Sequence, residues 1–287
     1  NTFYEIFFFC CYSTMINFSL NWWDYIALFS IIFIGIPHGA LDGAISITLG
    51  YTKKVRLQLY FILTYIFVSC FIIMLWYFLP VITLILFLFT SIIHFGCGDL
   101  DWKRSRFYFI GGYVHGGLIV LGIIFLNKIE VNRFFEILSG DQLYLLWTSL
   151  YLGIFLWIIA ITYICLNYSK INISNHYIRI ALSISLVLLV LPPLPAFAIY
   201  FCLIHSFHHI RRIIPTLLGF MEKQKAIFLM IIFSVFSWIG CGIAFYYLSN
   251  LNTYPDTMLK VTFVGLAALT FPHMILVDGI FRSKFKI

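Results

Sequence analysis

Histidine is the residue with the most chemistry to offer in this chain. Seven of the eight histidines stand inside long apolar stretches, namely His38, His94, His115, His205, His208, His209 and His273, while His176 reads as a loop residue. A neutral imidazole presents one nitrogen as a lone pair and the other as an N–H, so it can ligate a metal while a second group steers it. His205 and His209 stand at i and i+4, which puts two imidazoles on one helix face. His208 forms a competing i, i+3 pair with His205. Ionisable groups inside a bilayer are expensive and mark function. Counted from the nearer ends of their expected helices, these histidines lie roughly 5–17 Å deep at about 1.5 Å per residue. A single membrane histidine is adequately explained by a hydrogen bond to a neighbouring helix. Several at one depth predict a shared metal site.

Carboxylates accompany them. Asp42 follows His38 by four residues, Asp99 follows His94 by five, and Asp278 follows His273 by five. A metal-bound imidazole usually donates its other N–H to such a group. Only Asp42 has the spacing of a same-face partner; Asp99 and Asp278 read equally well as interfacial anchors at helix ends. All-histidine ligation suits zinc, copper or non-haem iron. Chemistry on lipid-soluble hydrocarbons, which offer no handle for hydrolysis, favours O₂ and hence iron. Glycine and proline flank the histidines in Pro37-His38-Gly39, His94-Phe95-Gly96, His115-Gly116-Gly117 and Pro272-His273. Around them, Phe95, Gly96, Phe109, Gly111, Gly112, Tyr113, Gly116 and Gly117 are the expected walls of an apolar tunnel. No lysine stands in mid-helix, which argues against a Schiff-base opsin.

The elements that must position these groups are membrane helices. The chain has 287 residues, 62% hydrophobic and only 10% charged, far from a soluble domain's roughly 25% charged residues. Apolar runs long enough to cross a bilayer recur without the alternation of a barrel strand. The expectation is an all-α polytopic bundle of nine helices over 23–49, 57–79, 80–98, 107–126, 143–167, 177–192, 195–212, 226–249 and 258–281. The count falls to eight if Pro192-Pro193-Leu194-Pro195 is a kink. Residues 1–22 read as an interfacial segment without signal-peptide features, and 23–287 as one transmembrane catalytic domain. Basic residues collect in alternate connections, with Lys128, Arg133 and Lys260 the exceptions, so the N-terminus is expected outside and the C-terminus in the cytoplasm. The net charge of +7 follows from loops beside anionic headgroups. No nucleic-acid motif appears, and the seven cysteines show no disulfide or CxxC pattern.

The run Gly35-Ile36-Pro37-His38-Gly39-Ala40-Leu41-Asp42, then Ile93-His94-Phe95-Gly96 with Asp99, His205-Ser206 with His209, and Pro272-His273-Met274 resembles the Brp/Blh family of membrane β-carotene 15,15′-dioxygenases. The likeness extends over residues 23 to 280. It implies cleavage of β-carotene by O₂ at its central double bond into two all-trans-retinal, at an Fe(II) held by His38, His94, His205 and His209. His208, beside His209, keeps that last ligand open. His115, His273 and Asp42 would then support the ligands or position substrate. The resemblance also implies a prokaryotic plasma membrane and a microbial rhodopsin that receives the retinal. Two rivals stand beside it. His205-Ser206-Phe207-His208-His209 matches the HxxHH box of membrane desaturases and hydroxylases, which carry several such boxes where this chain has one. A metal or proton transporter with a histidine relay would show paired repeats, and none is convincing here.

Overall fold

With no water in hydrocarbon to bond backbone groups, a spanning segment must satisfy them internally. The computed structural model of the chain is accordingly helical, with no strand among the described residues, which are 19–99, 107–171 and 175–285. Among the described residues, seven helices are long and apolar enough to cross a membrane. These are α1 (Trp22–Leu49), α2 (Val55–Phe78), α3 (Pro80–Asp99), α4 (Tyr108–Leu126), α6 (Tyr144–Leu166), α9 (Lys223–Leu248) and α10 (Tyr254–Phe285). Between them lie α5 (Lys128–Ser139), α7 (Asn175–Val190) and α8, residues 193–218. Most of the expected interfacial segment, and the basic residues Lys103, Arg104, Arg106 and Lys286, lie outside the described residues.

The Pro192 stretch separates two helices, as in the nine-helix reading: α7 stops at Val190 and α8 begins at Pro193, because proline favours the first turn, where its missing N–H costs nothing. Two features depart from expectation. His176, read as a loop residue, lies in the first turn of α7. The connection after Asn127 is itself a helix. In α5, Val131, Phe134, Phe135 and Leu138 recur at helical spacing and are buried, while Ile129 faces outward. This amphipathic pattern is too short to register as a span. Two indoles hold α5 in place: Trp76 Nε1 donates to the Leu138 carbonyl at 2.8 Å and Trp147 Nε1 to Asn132 Oδ1 at 2.7 Å.

The helices that will carry chemistry are the irregular and buried ones. α1 passes through a π turn at Ile31–Gly35 and a 3₁₀ turn at Ile36–Leu41, α8 through a π turn at Tyr200–His205, and α10 through one at Ile275–Phe281. Such insertions shift which residues share a face and gather at functional sites. In α8 the Ser206 hydroxyl bonds the Phe201 carbonyl five residues back at 2.7 Å. α3 and α4 approach until backbones touch: a Cβ at Gly96 would meet the Gly112 carbonyl, and one at Gly116 the Ile92 carbonyl. Those glycines therefore pack helices, as small residues do in membranes, and correct the expectation that they wall a tunnel. Phe109, another expected wall, is 69% exposed.

Candidate functional site

α3, α8 and α10 bring four imidazoles into one buried cluster, each at most 2% exposed. Ring centres lie 5.0 Å apart for His94 and His205, 5.5 Å for His94 and His273, 4.9 Å for His209 and His273, 6.0 Å for His205 and His209, and 6.3 Å for His94 and His209. The i, i+4 pair on α8 turns inward together. His208 is half-buried. The backbone of His38 lies in the 3₁₀ turn of α1, but its side chain lies outside what is described.

Three of the rings are held by carboxylates from another helix. His94 Nδ1 on α3 meets Asp278 Oδ2 on α10 at 2.7 Å; His205 Nδ1 on α8 meets Asp99 Oδ1 on α3 at 3.1 Å; His273 Nδ1 on α10 meets Asp42 Oδ1 on α1 at 2.8 Å. An ionised carboxylate only accepts, so each Nδ1 carries a proton, and in the neutral ring Nε2 holds the lone pair. The sequence spacing suggested other partners. Asp42, four residues after His38, serves His273. Asp99 serves His205, and Asp278 serves His94 rather than its near neighbour His273. Asp278 itself lies within the π turn of α10.

Each carboxylate is itself anchored. Tyr200 Oη donates to Asp99 Oδ2 at 2.5 Å and Tyr65 Oη to Asp42 Oδ2 at 3.0 Å. Arg282 pairs with Asp278 at 3.0 Å and also donates to the Cys97 and Gly98 carbonyls at 3.3 and 3.4 Å. Arg212 reaches the Gly98 carbonyl as well. Two cations at the C-terminal end of α3 suit its dipole. Tyr65, Tyr200, Arg212 and Arg282 were not singled out by sequence reasoning. The i, i+4 spacing of Asp278 and Arg282 was the one available signal. His115 is apart from the cluster: it is buried on α4, its ring lies 5.5 Å from that of Tyr177, and neither ring nitrogen has a hydrogen-bond partner among the described residues.

The donor set suits a soft-to-borderline divalent ion. Two imidazoles bound through nitrogens at about 2 Å from one ion have ring centres roughly 5–6 Å apart, and the rings here lie 4.9 to 6.3 Å apart. Among the described residues, no three His, Cys, Asp or Glu side chains already stand in ligand geometry about one point. The rings fit such an ion in donor chemistry, while their placement is not that of a formed ligand set.

Two apolar cavities are lined in part by neighbours of the cluster. One, of about 190 Å³, lies between α2 and α10 and is lined by Tyr65 and Pro272 among others. The other, of about 90 Å³, lies among α3, α4, α5, α8 and α10 and reaches Phe95, whose ring centre is 4.7 Å from that of His205.

Fold and site together define a helical membrane protein with a buried histidine–carboxylate centre. Residues 29–281 match the family model of β-carotene 15,15′-dioxygenase. The chain is also 36% identical over 270 residues to a β-carotene 15,15′-dioxygenase from uncultured marine bacterium 66A03, covering 92% of this chain and 97% of that relative. The chain belongs to the β-carotene 15,15′-dioxygenase family. No solved structure matches it.

Proposed function

We propose that this enzyme cleaves β-carotene with O₂ across the central 15,15′ double bond, giving two all-trans-retinal. The observation that carries the reading is the convergence of four imidazoles, three fixed by carboxylates, inside the bundle of a chain from this family. His94, His205 and His209 would hold one Fe(II), with His38 completing the set that the family motif implies. His273, steered by Asp42 as His94 is by Asp278, is a further imidazole at the centre. When bound, the iron supplies O₂ activation.

The protein's part is orientation and exclusion of water. Asp42, Asp99 and Asp278 fix the tautomer of their rings and hold them against rotation. Tyr65, Tyr200 and Arg282 hold the carboxylates in turn. The reaction converts one C=C and one O₂ into two C=O groups, so it needs no outside electrons. That separates it from desaturation or hydroxylation. β-Carotene is an apolar rod on the order of 30 Å long, comparable to the bilayer core. It enters sideways from lipid, and the void at Tyr65 and Pro272, beside Asp42 and His273, is the approach. The gathering of 15 of the 18 basic residues in or beside alternate helix connections supports an external N-terminus and a cytoplasmic C-terminus in a prokaryotic plasma membrane. The retinal would pass to a microbial rhodopsin.

Expression in a β-carotene-producing bacterium tests the chemistry: cells should lose colour as a single C20 aldehyde appears. Two unequal apocarotenals, or a desaturated lipid with β-carotene untouched, would overturn it. Iron content of the purified His38→Ala and His273→Ala proteins decides which of those two rings ligates.

A further inference from the structure

The void behind Phe95 has a size and a surface that select its occupant. It is lined by Leu84, Phe87 and Ser91 of α3, by Val120 and Ile124 of α4, by the buried face of α5, and by Phe197 of α8 and Phe263 of α10. Nearly all of this lining is hydrocarbon. Its polar exception is the Ser91 hydroxyl, in a residue 4% exposed, which has no hydrogen-bond partner among the described residues. The carbonyl one turn back, that of Phe87, accepts from Thr90 instead at 3.1 Å. A buried water needs two to four polar partners, and one hydroxyl does not provide them, so the void is dry.

Volume narrows the choice further. An engineered apolar cavity of about 150 Å³ stays dry and takes up benzene or xenon. At about 90 Å³ this one is smaller, and the twenty-carbon arm of a carotenoid would need on the order of three times a benzene-sized pocket. A diatomic gas fits. Leu88, Phe197 and Phe263, all partly exposed, put one wall of the void within reach of lipid, where an apolar gas concentrates. Phe95 forms the opposite end, its ring 4.7 Å from that of His205 and 5.8 Å from that of His94.

From these observations we infer that the cavity among α3, α4, α5, α8 and α10 is a binding site for dioxygen, loaded from the bilayer and delivered to the histidine cluster past Phe95. The inference rests on the proposed O₂-dependent cleavage and deepens it. It assigns the two substrates separate routes, the carotenoid by the void at Tyr65 and the gas by the void at Phe95.

Xenon is the probe, because it needs no altered protein. Under xenon pressure the wild-type enzyme should show a bound atom in this cavity, and its apparent KM for O₂ should rise severalfold while that for β-carotene stays put. Filling the cavity with Val120→Phe or Ile124→Phe should likewise raise the KM for O₂ severalfold at unchanged iron content. If xenon leaves the KM for O₂ unmoved in wild type, or if the filled variants shift the KM for β-carotene instead, the cavity is not the oxygen site. The first experiment of the previous section stands apart from this one: retinal formation by the wild type tests the reaction, and xenon competition tests the route.

Discussion

Helices α3 and α9 are alike in sequence character and opposite in use. Both are apolar enough to span a membrane, yet 56% of the apolar window of α3 is buried within the bundle against 11% for α9. α3 carries His94, Asp99, Gly96 and the two carbonyls that the arginines grip. α9 turns Phe228, Phe236 and Tyr246 to the outside and touches the rest mainly through α1, where Trp238 Nε1 donates to the Ile32 carbonyl at 2.9 Å. Apolarity therefore says that a helix crosses the bilayer and nothing about whether it faces lipid or protein. Ionisable residues in mid-helix and glycines pressed on a neighbouring backbone make that distinction, because the first are costly against lipid and the second need a partner helix.

The largest effect should come from the imidazoles. His94→Ala is expected to abolish retinal formation and to lower iron content, as are His205→Ala and His209→Ala. Phe236→Leu on the outer face of α9 should leave both unchanged. Activity together with iron per protein checks this. Retention of iron and turnover in His94→Ala would dissolve the contrast.

Next come the carboxylates. Asp99→Asn and Asp278→Asn keep the shape but lose the charge that polarises the imidazole N–H, and groups of this kind typically cost 10–100-fold in metal affinity or activity. Asp42→Asn should fall in the same range through His273. Iron retained after challenge with a chelator, measured beside kcat, separates loss of the metal from loss of turnover. A variant that keeps wild-type iron and kcat would reduce that carboxylate to an interfacial anchor.

A third effect is on folding. A methyl group at Gly96 has the Gly112 carbonyl in its way, and the helices must part to admit it. Overpacking of this kind costs about 1–3 kcal/mol, so Gly96→Ala should melt several degrees lower in detergent. An unchanged melting temperature would mean that α3 and α4 yield freely.

Residue type made much of this legible. His94, His205, His209 and His273 announced themselves as ionisable groups in apolar runs, and the inward pairing of His205 with His209 follows from helical periodicity. The crossed pairings could not be read. His94 and Asp278 are 184 positions apart and His273 and Asp42 are 231 apart, and which carboxylate meets which ring depends on helix register and on π turns that leave no clear mark in sequence. Gly96 and Gly116 were visible as small residues beside histidines, but only the neighbouring backbone shows that they serve packing. α5 escaped because Val131, Phe134, Phe135 and Leu138 form a stripe shorter than any span.

The smallest effect is expected at Gly240 on α9, and it tests the comparison from its other side. A Cβ added there meets nothing within 4 Å, so no helix has to move. In a soluble helix the exchange of glycine for alanine gains up to about 1 kcal/mol, because glycine loses more backbone freedom on folding. In a bilayer that freedom is already curtailed, since an unwound segment would leave its N–H and C=O groups unsatisfied in hydrocarbon. The gain from Gly240→Ala should then fall well below about 1 kcal/mol, and the melting temperature should stay within a degree or so of wild type. Activity and iron content should not change. The same substitution thus differs in outcome on two helices of similar apolarity, harmful at Gly96 and near neutral at Gly240. A drop of several degrees in Gly240→Ala would mean that the outer face of α9 is covered in the membrane by something more closely fitting than lipid, and a second copy of the chain would be the first candidate to examine by cross-linking.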